Sequence, residues 1–485
     1  MRRLLYLSTI AADLGDIFFF IAPLTAVPLV VAVLFAEWSL FLPMATVPVV
    51  FFLLGTGMKH LPRNERENRL STSLCSIALF WIACAMVSGL PFMFGLGMSF
   101  TDAVFEGMAG WTGTAFTMLP SIDTIPYTLL FWRTFMQWIG GIGIIAYVIA
   151  LASSSGLFQG RIYRTESREE PLMPSIVTTG RAIWRIYALL TFVALGLILF
   201  TGLSLWDSVN LALSAISTGG FSVVDGGIAS YHNLLLELLL IPIMIAGALP
   251  FRLYYLISEN RRFSLFGDEQ IKLFVVIAAA GTAVLAYDLV YFGNTDIPTA
   301  LGQGLFMTVS ALTTTGFQIA DIGTWASVTL LFLAMLIFIG GAAGSSSGGI
   351  KLNRVVLAFR ALVWWFRRLF VSGKVLIPFK SEGRVIPRAT AELETAKTLL
   401  VIILSVLVIF VATLVVIQFH ITTFPINDVL FDVISAFSTC GMTTGYVSSS
   451  MPALSKWVFI LVMWVGRLEV IPVLVLFLAL FRGSD

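Results

Sequence analysis

The chain has 485 residues, 58% of them hydrophobic and 12% charged, with 40 Phe and a net charge of +2. Water cannot hold such a composition as a compact domain, so it defines a multi-span membrane protein. The Lys and Arg sit in short turns between apolar runs and form no basic face, which excludes a nucleic-acid partner.

Met1-Arg2-Arg3 precedes a long apolar stretch with no small-residue cleavage site, so the first span is expected to be retained. Apolar runs near the ~20 residues that cross hydrocarbon occur around 17–35, 40–58, 72–94, 127–151, 185–203, 232–257, 270–292, 327–343 continuing to about 363, 397–419 and 455–481. That makes about ten spans. The turns at 59–71 (Lys59, Arg63, Arg66, Arg69), 158–185 (Arg161, Arg164, Arg168, Arg181, Arg185), 258–272 (Arg261, Arg262, Lys272) and 351–397 are basic, whereas the alternate turns carry Glu37, Asp123, Asp225, Asp296 and Asp321, with Lys456 the exception. Basic turns face the cytoplasm, so both termini are predicted inside. Cys75, Cys84 and Cys440 offer neither metal spacing nor a disulfide framework, and Cys75 and Cys84 read as small packing residues.

Each alternate outer turn contains one copy of a repeated pattern: AGWTGTAF at 109–116, SAISTGGF at 214–221, SALTTTGF at 310–317 and SAFSTCGM at 435–442. An apolar segment of roughly twelve residues precedes each copy, too short to cross and long enough to dip in and return. Thirteen residues before the aligned tiny residue stand Asp102, Asp207, Gln303 and Asp428, three acids placed to meet the positive end of a short helix. The fold class predicted is an all-α polytopic membrane protein. It has four span, re-entrant helix, loop, span repeats in pseudo-fourfold arrangement plus an N-terminal helix pair. The divisions expected are 1–71 for the pair, then 72–184, 185–269, 270–396 and 397–485 for the repeats.

Moving a monovalent cation out of water costs tens of kcal/mol, so a pore must supply oxygens in place of the hydration shell. Thr112, Gly113, Thr114 and Ala115; Ser217, Thr218, Gly219 and Gly220; Thr313, Thr314, Thr315 and Gly316; and Ser438, Thr439, Cys440 and Gly441 are small, neutral residues suited to presenting carbonyls and hydroxyls. No carboxylate lies within the four stretches, which argues against a strong divalent site and for a dehydrated alkali ion.

At these residues the sequence resembles the Trk/Ktr/HKT superfamily of potassium and sodium transport proteins, whose repeats each contribute a filter loop with a glycine where Gly220, Gly316 and Gly441 stand. GGAAGSSSGGIK at 340–351, GRLEVIPVLVLF at 466–477 and FWRTFMQWIGGIGII at 131–145 carry the likeness further, and the N-terminal pair resembles the Trk branch. The resemblance implies potassium, or sodium, uptake across the prokaryotic inner membrane, with K+ at the filter residues as cargo and no cofactor in this chain. It further implies a homodimer with one pore per subunit and a cytosolic nucleotide-binding ring as regulator. Arg367, Arg368, Lys374, Lys380 and Arg384 are compatible with docking that ring, and positive-inside topology explains them equally well. One departure stands out: Ala115 occupies the first glycine place, where a side chain in plant relatives accompanies sodium preference. A left-handed Ala costs roughly 1–2 kcal/mol, so the first loop either carries that strain or turns a carbonyl off the axis.

Residues 340–349 contain five Gly, three Ser and two Ala, which cannot form a stable lipid-facing helix. Close helix packing through the spaced glycines is the alternative, but ten consecutive tiny residues exceed what packing requires. By resemblance the segment is the gate: Gly340, Gly341, Gly344, Ser345, Ser346, Ser347, Gly348 and Gly349, with Lys351 just beyond and Arg467 beneath the filter raising the barrier to cations. Arg467 interrupts the last apolar run with about fourteen apolar positions still to come, so it is expected to face a cavity, with Glu469 meeting a different partner. Arg133, nearer the outer end, reads as structural. The run Gly344-Ser345-Ser346-Ser347-Gly348 also fits a serine-hydrolase elbow, but His60, His232 and His420 all fall at span ends or turns, so no enzyme is expected.

A secondary active transporter coupled to protons or sodium is the rival class. It would use intramembrane carboxylates, for which Asp13, Asp16, Glu106, Glu237, Asp432 and Glu469 are the candidates. The four units run in the same direction, without inverted repeats, which favours a pore.

Overall fold

The computed structural model describes residues 2–62, 70–143, 176–258, 267–370, 378–381, 384–419 and 424–482. Arg63, Arg66, Arg69, Arg161, Arg164, Arg168, Arg261, Arg262, Lys374 and His420 lie outside them, as do the side chains of Lys380 and Arg384.

The described chain is helical throughout, apart from one antiparallel hairpin, β1 (Phe379–Ser381) with β2 (Arg384–Ile386), pairing Phe379 with Ile386. The chain opens on α1 (Arg2–Thr25), α2 (Pro28–Leu34) and α3 (Trp38–Lys59). The first span starts earlier than hydropathy suggests, because Asp13 and Asp16 are carried inside α1, where Asp13 is buried. Pro28 at the first turn of α2 fits a helix start, where its missing N–H has no intrahelical partner to lose.

Four sets of helices follow. They are α4 (Leu70–Ser88) and α5 (Leu90–Leu96), α6 (Phe100–Thr112), α7 (Tyr127–Ile142); α8 (Ile176–Leu199), α9 (Leu205–Ile216), α10 (Leu234–Ala248) and α11 (Phe251–Ser258); α12 (Glu269–Tyr291), α13 (Ile297–Leu312), α14 (Ser327–Ile339) and α15 (Leu352–Leu369); and α16 (Arg388–Phe419), α17 (Ile426–Phe437), α18 (Ala453–Leu468) and α19 (Ile471–Arg482). The third member of every set breaks shortly after the level of its loop. Gly143 (φ 72°) stops α7, Leu249-Pro250 separates α10 from α11 with a 93° bend, Gly340 (φ 72°) stops α14, and Glu469 and Val470 (φ 58° and 67°) turn the chain by 108° into α19.

Sequence reading expected one such interruption, at 340–349, and treated 232–257 and 455–481 as continuous. Hydropathy registers apolar side chains but not the left-handed pair that turns the chain at 469–470, so Arg467 is the next-to-last residue of α18 and not midway along a span. Six described helices are long and apolar enough to cross a membrane, and the two bent pairs bring the total to eight. Of the ten runs, 127–151 is described only to 143, and 327–363 contains a 13-residue helix followed by the open loop.

The short helices α6, α9, α13 and α17 are the most deeply buried elements, with every residue from Ala103 to Thr112 of α6 shielded. Their starts show how the acids are used. Ser99 and Ser204 are the N-caps, accepting from the amides of Asp102 and Asp207 at 3.2 and 3.1 Å, while each Ser hydroxyl donates to that Asp carboxylate. Asp102 and Asp207 are thus third helical residues held by the capping serine, whereas Asp428, behind Pro425, takes no part in a side-chain cap. In the third set the helix starts earlier, capped by Asp296 on the amide of Thr299 at 3.2 Å, so Gln303 lies mid-helix and does not cap.

Candidate functional site

Each repeated stretch closes its short helix by the same device. The amides of Thr114, Gly219, Thr315 and Cys440 reach back to the carbonyls of Ala109, Ser214, Ser310 and Ser435 at 2.8–2.9 Å, the six-to-one bond of a Schellman cap. The residue before each donor is left-handed: Gly113 (φ 75°), Thr218 (51°), Thr314 (54°) and Thr439 (51°). Threonine in that conformation costs about 1–2 kcal/mol, offset here by the cap bonds. The sequence pattern is thus a helix stop followed by an extended strand of small residues.

The second positive-φ position holds Gly220 (84°), Gly316 (85°) and Gly441 (88°). Ala115 is not left-handed, so the first loop avoids the strain and departs from the backbone course of the other three. The loops close on one another around a ring. A Cβ on Gly113 would stand 3.8 Å from the Cα of Gly219; one on Gly220 would strike the carbonyl of Thr315, one on Gly316 that of Cys440, and one on Gly441 the amide nitrogen of Ala115. The Ala115 methyl faces all three glycines, 3.0, 3.6 and 2.7 Å from where their Cβ atoms would lie. Thr112, Thr114, Ser217, Thr313 and Ser438 are buried at the helix ends, with hydroxyl pairs Thr112–Thr114 at 2.9 Å and Thr313–Thr315 at 2.8 Å; Cys440 is buried and Gly219 packs on Gln137.

Behind the ring stand several braces, of which Gln137 and Gln318 are not singled out by the sequence, whereas Glu106, Asp432 and the structural Arg133 are. Gln137 of α7 donates to the carbonyl of Gly219 at 2.8 Å and accepts from Ser214 and from the amide of Phe221 at 3.0 and 3.2 Å. Gln318 exchanges two bonds with the backbone of Thr443 at 3.3 and 3.2 Å. Glu106 pairs with Arg133 at 3.2 Å, and Asp432 accepts from Thr443, Thr444 and Val447. Glu106 and Asp432 are polar residues in the midst of short apolar helices, and that is their sequence signal; their partners lie on following strands and neighbouring helices. At the outer surface Lys456 meets Asp102 at 2.5 Å, and Asp225 accepts from Ser121 and from the amide of Ile122, both at 2.6 Å. Those bonds hold the exposed Asp225 carboxyl below its ordinary range, with the Ser121 hydroxyl the largest cause.

The segment 340–349 lies directly against the inner side of the ring. The Gly348 amide donates to the Thr314 hydroxyl at 2.6 Å and the Gly349 amide to the Ser438 carbonyl at 3.1 Å. Ser346 donates to the carbonyls of Ile216 and Gly247 at 3.0 and 2.8 Å and lies 3.3 Å from the Thr218 hydroxyl; no imidazole is among these partners. Gly340, Gly344 and Gly349 take positive φ, Gly341 packs on Ser347, Ser345 and Ser347 share a bond at 2.8 Å, and Lys351 Nζ donates to the Ser347 carbonyl. Arg467 Nη1 reaches the Ser346 carbonyl at 3.4 Å and its Nη2 the Gly140 carbonyl at 2.6 Å. Glu469 pairs with Arg354 of α15. Close packing is therefore only part of what the small residues do, since the loop's backbone donors and acceptors are distributed over three of the four sets.

Among the described residues no group of three His, Cys, Asp or Glu side chains stands ready to hold a metal ion. A membrane bundle closing four neutral, oxygen-rich loops on one another defines a protein of the ion-transport class. The chain belongs to the TrkH family of cation transport proteins, whose model matches residues 44–482. It is 30% identical over 475 residues to an uncharacterized cation transporter of Methanocaldococcus jannaschii, covering 96% of this chain and 94% of that protein. It is 28% identical over 477 residues to the Trk system potassium uptake protein TrkH of Halomonas elongata, covering 94% and 95%. Its structure is similar to the crystal structure of the potassium transporter TrkH from Vibrio parahaemolyticus, with a TM-score of 0.83, 25% identity and coverage of 97% and 98%. The protein is a membrane cation transporter of the Trk type and not an enzyme.

Proposed function

We propose that this protein takes up potassium, and with it sodium, through a channel-like pore whose selectivity filter is the ring of loops at 112–115, 217–220, 313–316 and 438–441. The supporting observation is the closure of that ring, in which each loop abuts the next and the fourth returns to the first. Only backbone, hydroxyl and thiol groups line it, the neutral donor set that suits a dehydrated alkali ion. The Ala115 methyl sits where the other loops have none, so discrimination of potassium from sodium is weak.

The loop at 340–349 is the gate and Arg467 the charge that raises the cation barrier beneath the filter. Its hydrogen bonds to Thr314 and Ser438 and the Arg467 contact with Ser346 favour that reading over packing alone. The rival, ion-coupled relay finds less support: Glu106, Asp432 and Glu469 are each engaged in fixed bonds, and Glu237 lies in the first turn of α10.

The membrane is the prokaryotic inner membrane, with both termini cytoplasmic. The protein works as a homodimer, regulated by a cytosolic nucleotide-binding ring. Arg367 and Arg368, in the exposed last turn of α15, suit such a docking face. The testing experiment is uptake into vesicles reconstituted with the full chain, comparing potassium, rubidium, sodium and lithium with and without a pH gradient. Flux of potassium and rubidium exceeding sodium by a modest factor, independent of the gradient, is expected. Absence of alkali-ion flux rejects the pore, and strict gradient dependence favours the coupled transporter.

A further inference from the structure

Glu106 and Asp432 occupy one position in two repeats, each nine residues before the aligned filter residue, Ala115 or Gly441. Each grips the strand that leaves the filter. The Thr117 hydroxyl donates to Glu106 at 2.5 Å and the Thr443 hydroxyl to Asp432 at 2.6 Å, and the next amide in each strand, Met118 or Thr444, donates to the same carboxylate. The matching residues of the other repeats are Leu211 and Met307, which have nothing to offer such a strand.

The two carboxylates differ in their countercharge. Glu106 is paired with Arg133, both side chains at most 2% exposed. Asp432 is fully buried, and among the described residues no cationic side chain pairs with it. In α18 the place that Arg133 takes in α7 is held by Phe459, at the same separation from the aligned filter residue. The groups around Asp432 nonetheless suit an anion. Its Oδ1 receives the amide and hydroxyl of Thr444 at 2.9 and 3.3 Å, and its Oδ2 receives the Thr443 hydroxyl and the Val447 amide at 2.6 and 3.1 Å. Two backbone amides donate to Asp432, one to each oxygen, and with the Thr443 and Thr444 hydroxyls donating as well the four bonds match the acceptor sites of an ionised carboxylate. A buried anion without a countercharge is costly.

We infer that the cation held in the filter is the counter-ion of Asp432, which makes this residue a positioning group for alkali-ion occupancy, whereas Glu106, neutralised by Arg133, serves as a brace. The inference rests on the reading of the four loops as an ion pathway. It explains why the repeats are unequal: one negative charge behind the ring is compensated by protein and the other is left for the ion.

The test measures thermal unfolding of the purified full-length protein in rubidium chloride against choline chloride at equal ionic strength, with rubidium uptake into vesicles alongside. A ligand that binds only the folded state raises the midpoint. Rubidium is expected to raise the wild-type midpoint, Asp432→Asn to lose most of that rise and increase the half-saturating rubidium concentration several-fold, and Asp432→Glu to keep both near wild type. Phe459→Arg supplies a protein counter-ion while leaving Asp432 and its bonds in place, and is expected to lose the rise as well. It decides the matter if Asp432→Asn does not fold. A wild-type rise retained in either charge variant overturns the inference. Uptake by a wild type whose midpoint ignores rubidium also overturns it and leaves the pathway standing, whereas loss of both uptake and rise overturns the pathway reading with it.

Discussion

The Arg467 guanidinium donates to the Gly140 carbonyl at 2.6 Å, joining α18 of the fourth set to α7 of the first, with the Ser346 carbonyl of the loop 3.4 Å from its other nitrogen. One positive charge thus stands at the meeting point of two repeats and the loop that underlies the ring.

Arg467→Ala removes that charge. A unit charge at roughly 8 Å in an effective dielectric of about 20 adds about 2 kcal/mol to a cation's barrier, which is more than tenfold in rate. Rubidium flux through the variant is expected to rise by about that factor. Unaltered flux in a folded variant removes the barrier role.

Ala115→Gly deletes the methyl that faces Gly220, Gly316 and Gly441 and permits the left-handed course of the other loops. Reversal potentials are expected to shift toward stronger preference for potassium over sodium. A strong preference that is the same in both proteins contradicts the role given to Ala115.

Ser346→Ala deletes buried hydroxyl bonds to Ile216 and Gly247. Each such bond contributes about 1 kcal/mol, and the carbonyls left behind lose a partner. On the gate reading proposed above, the loop's hold on its neighbours is weakened, so basal flux is expected to rise several-fold while the order of ion preference stays. A change in ion order with unchanged flux would place Ser346 in the filter and not in the gate.

Glu106→Gln leaves the Arg133 guanidinium buried without its carboxylate. Breaking a buried pair costs about 3–5 kcal/mol, so the unfolding midpoint is expected to fall markedly. The double change Glu106→Gln with Arg133→Met is expected to recover much of the loss. A single variant as stable as wild type would mean that the pair carries no structural weight.

Hydrogen bonds from Ser121 and Ile122 hold the Asp225 carboxyl below the ordinary carboxylate range. A depressed carboxyl contributes stability above its unfolded pKa and loses it as pH falls through the lowered folded value. Protection of the Ile122 amide from hydrogen exchange, relative to its intrinsic rate, should therefore persist from neutral pH through the ordinary carboxyl range and be lost only at more acid pH. Loss of protection at a higher pH would show that the outer loops are joined by other means.

The sequence by itself determined the membrane class, the four loops and their small neutral residues, because each is written in local composition and short-range pattern. Three features were decided only in three dimensions: the breaks at Leu249-Pro250 and Glu469-Val470, the partners of Arg133, Asp432 and Glu469, and the normal φ of Ala115. A left-handed pair of non-glycine residues is tolerated only where surrounding packing enforces it, and a buried charge is satisfied by groups on other elements, from 11 residues away for Asp432 to a different helix set for Glu469. Neither constraint leaves a trace in the residues that immediately flank it.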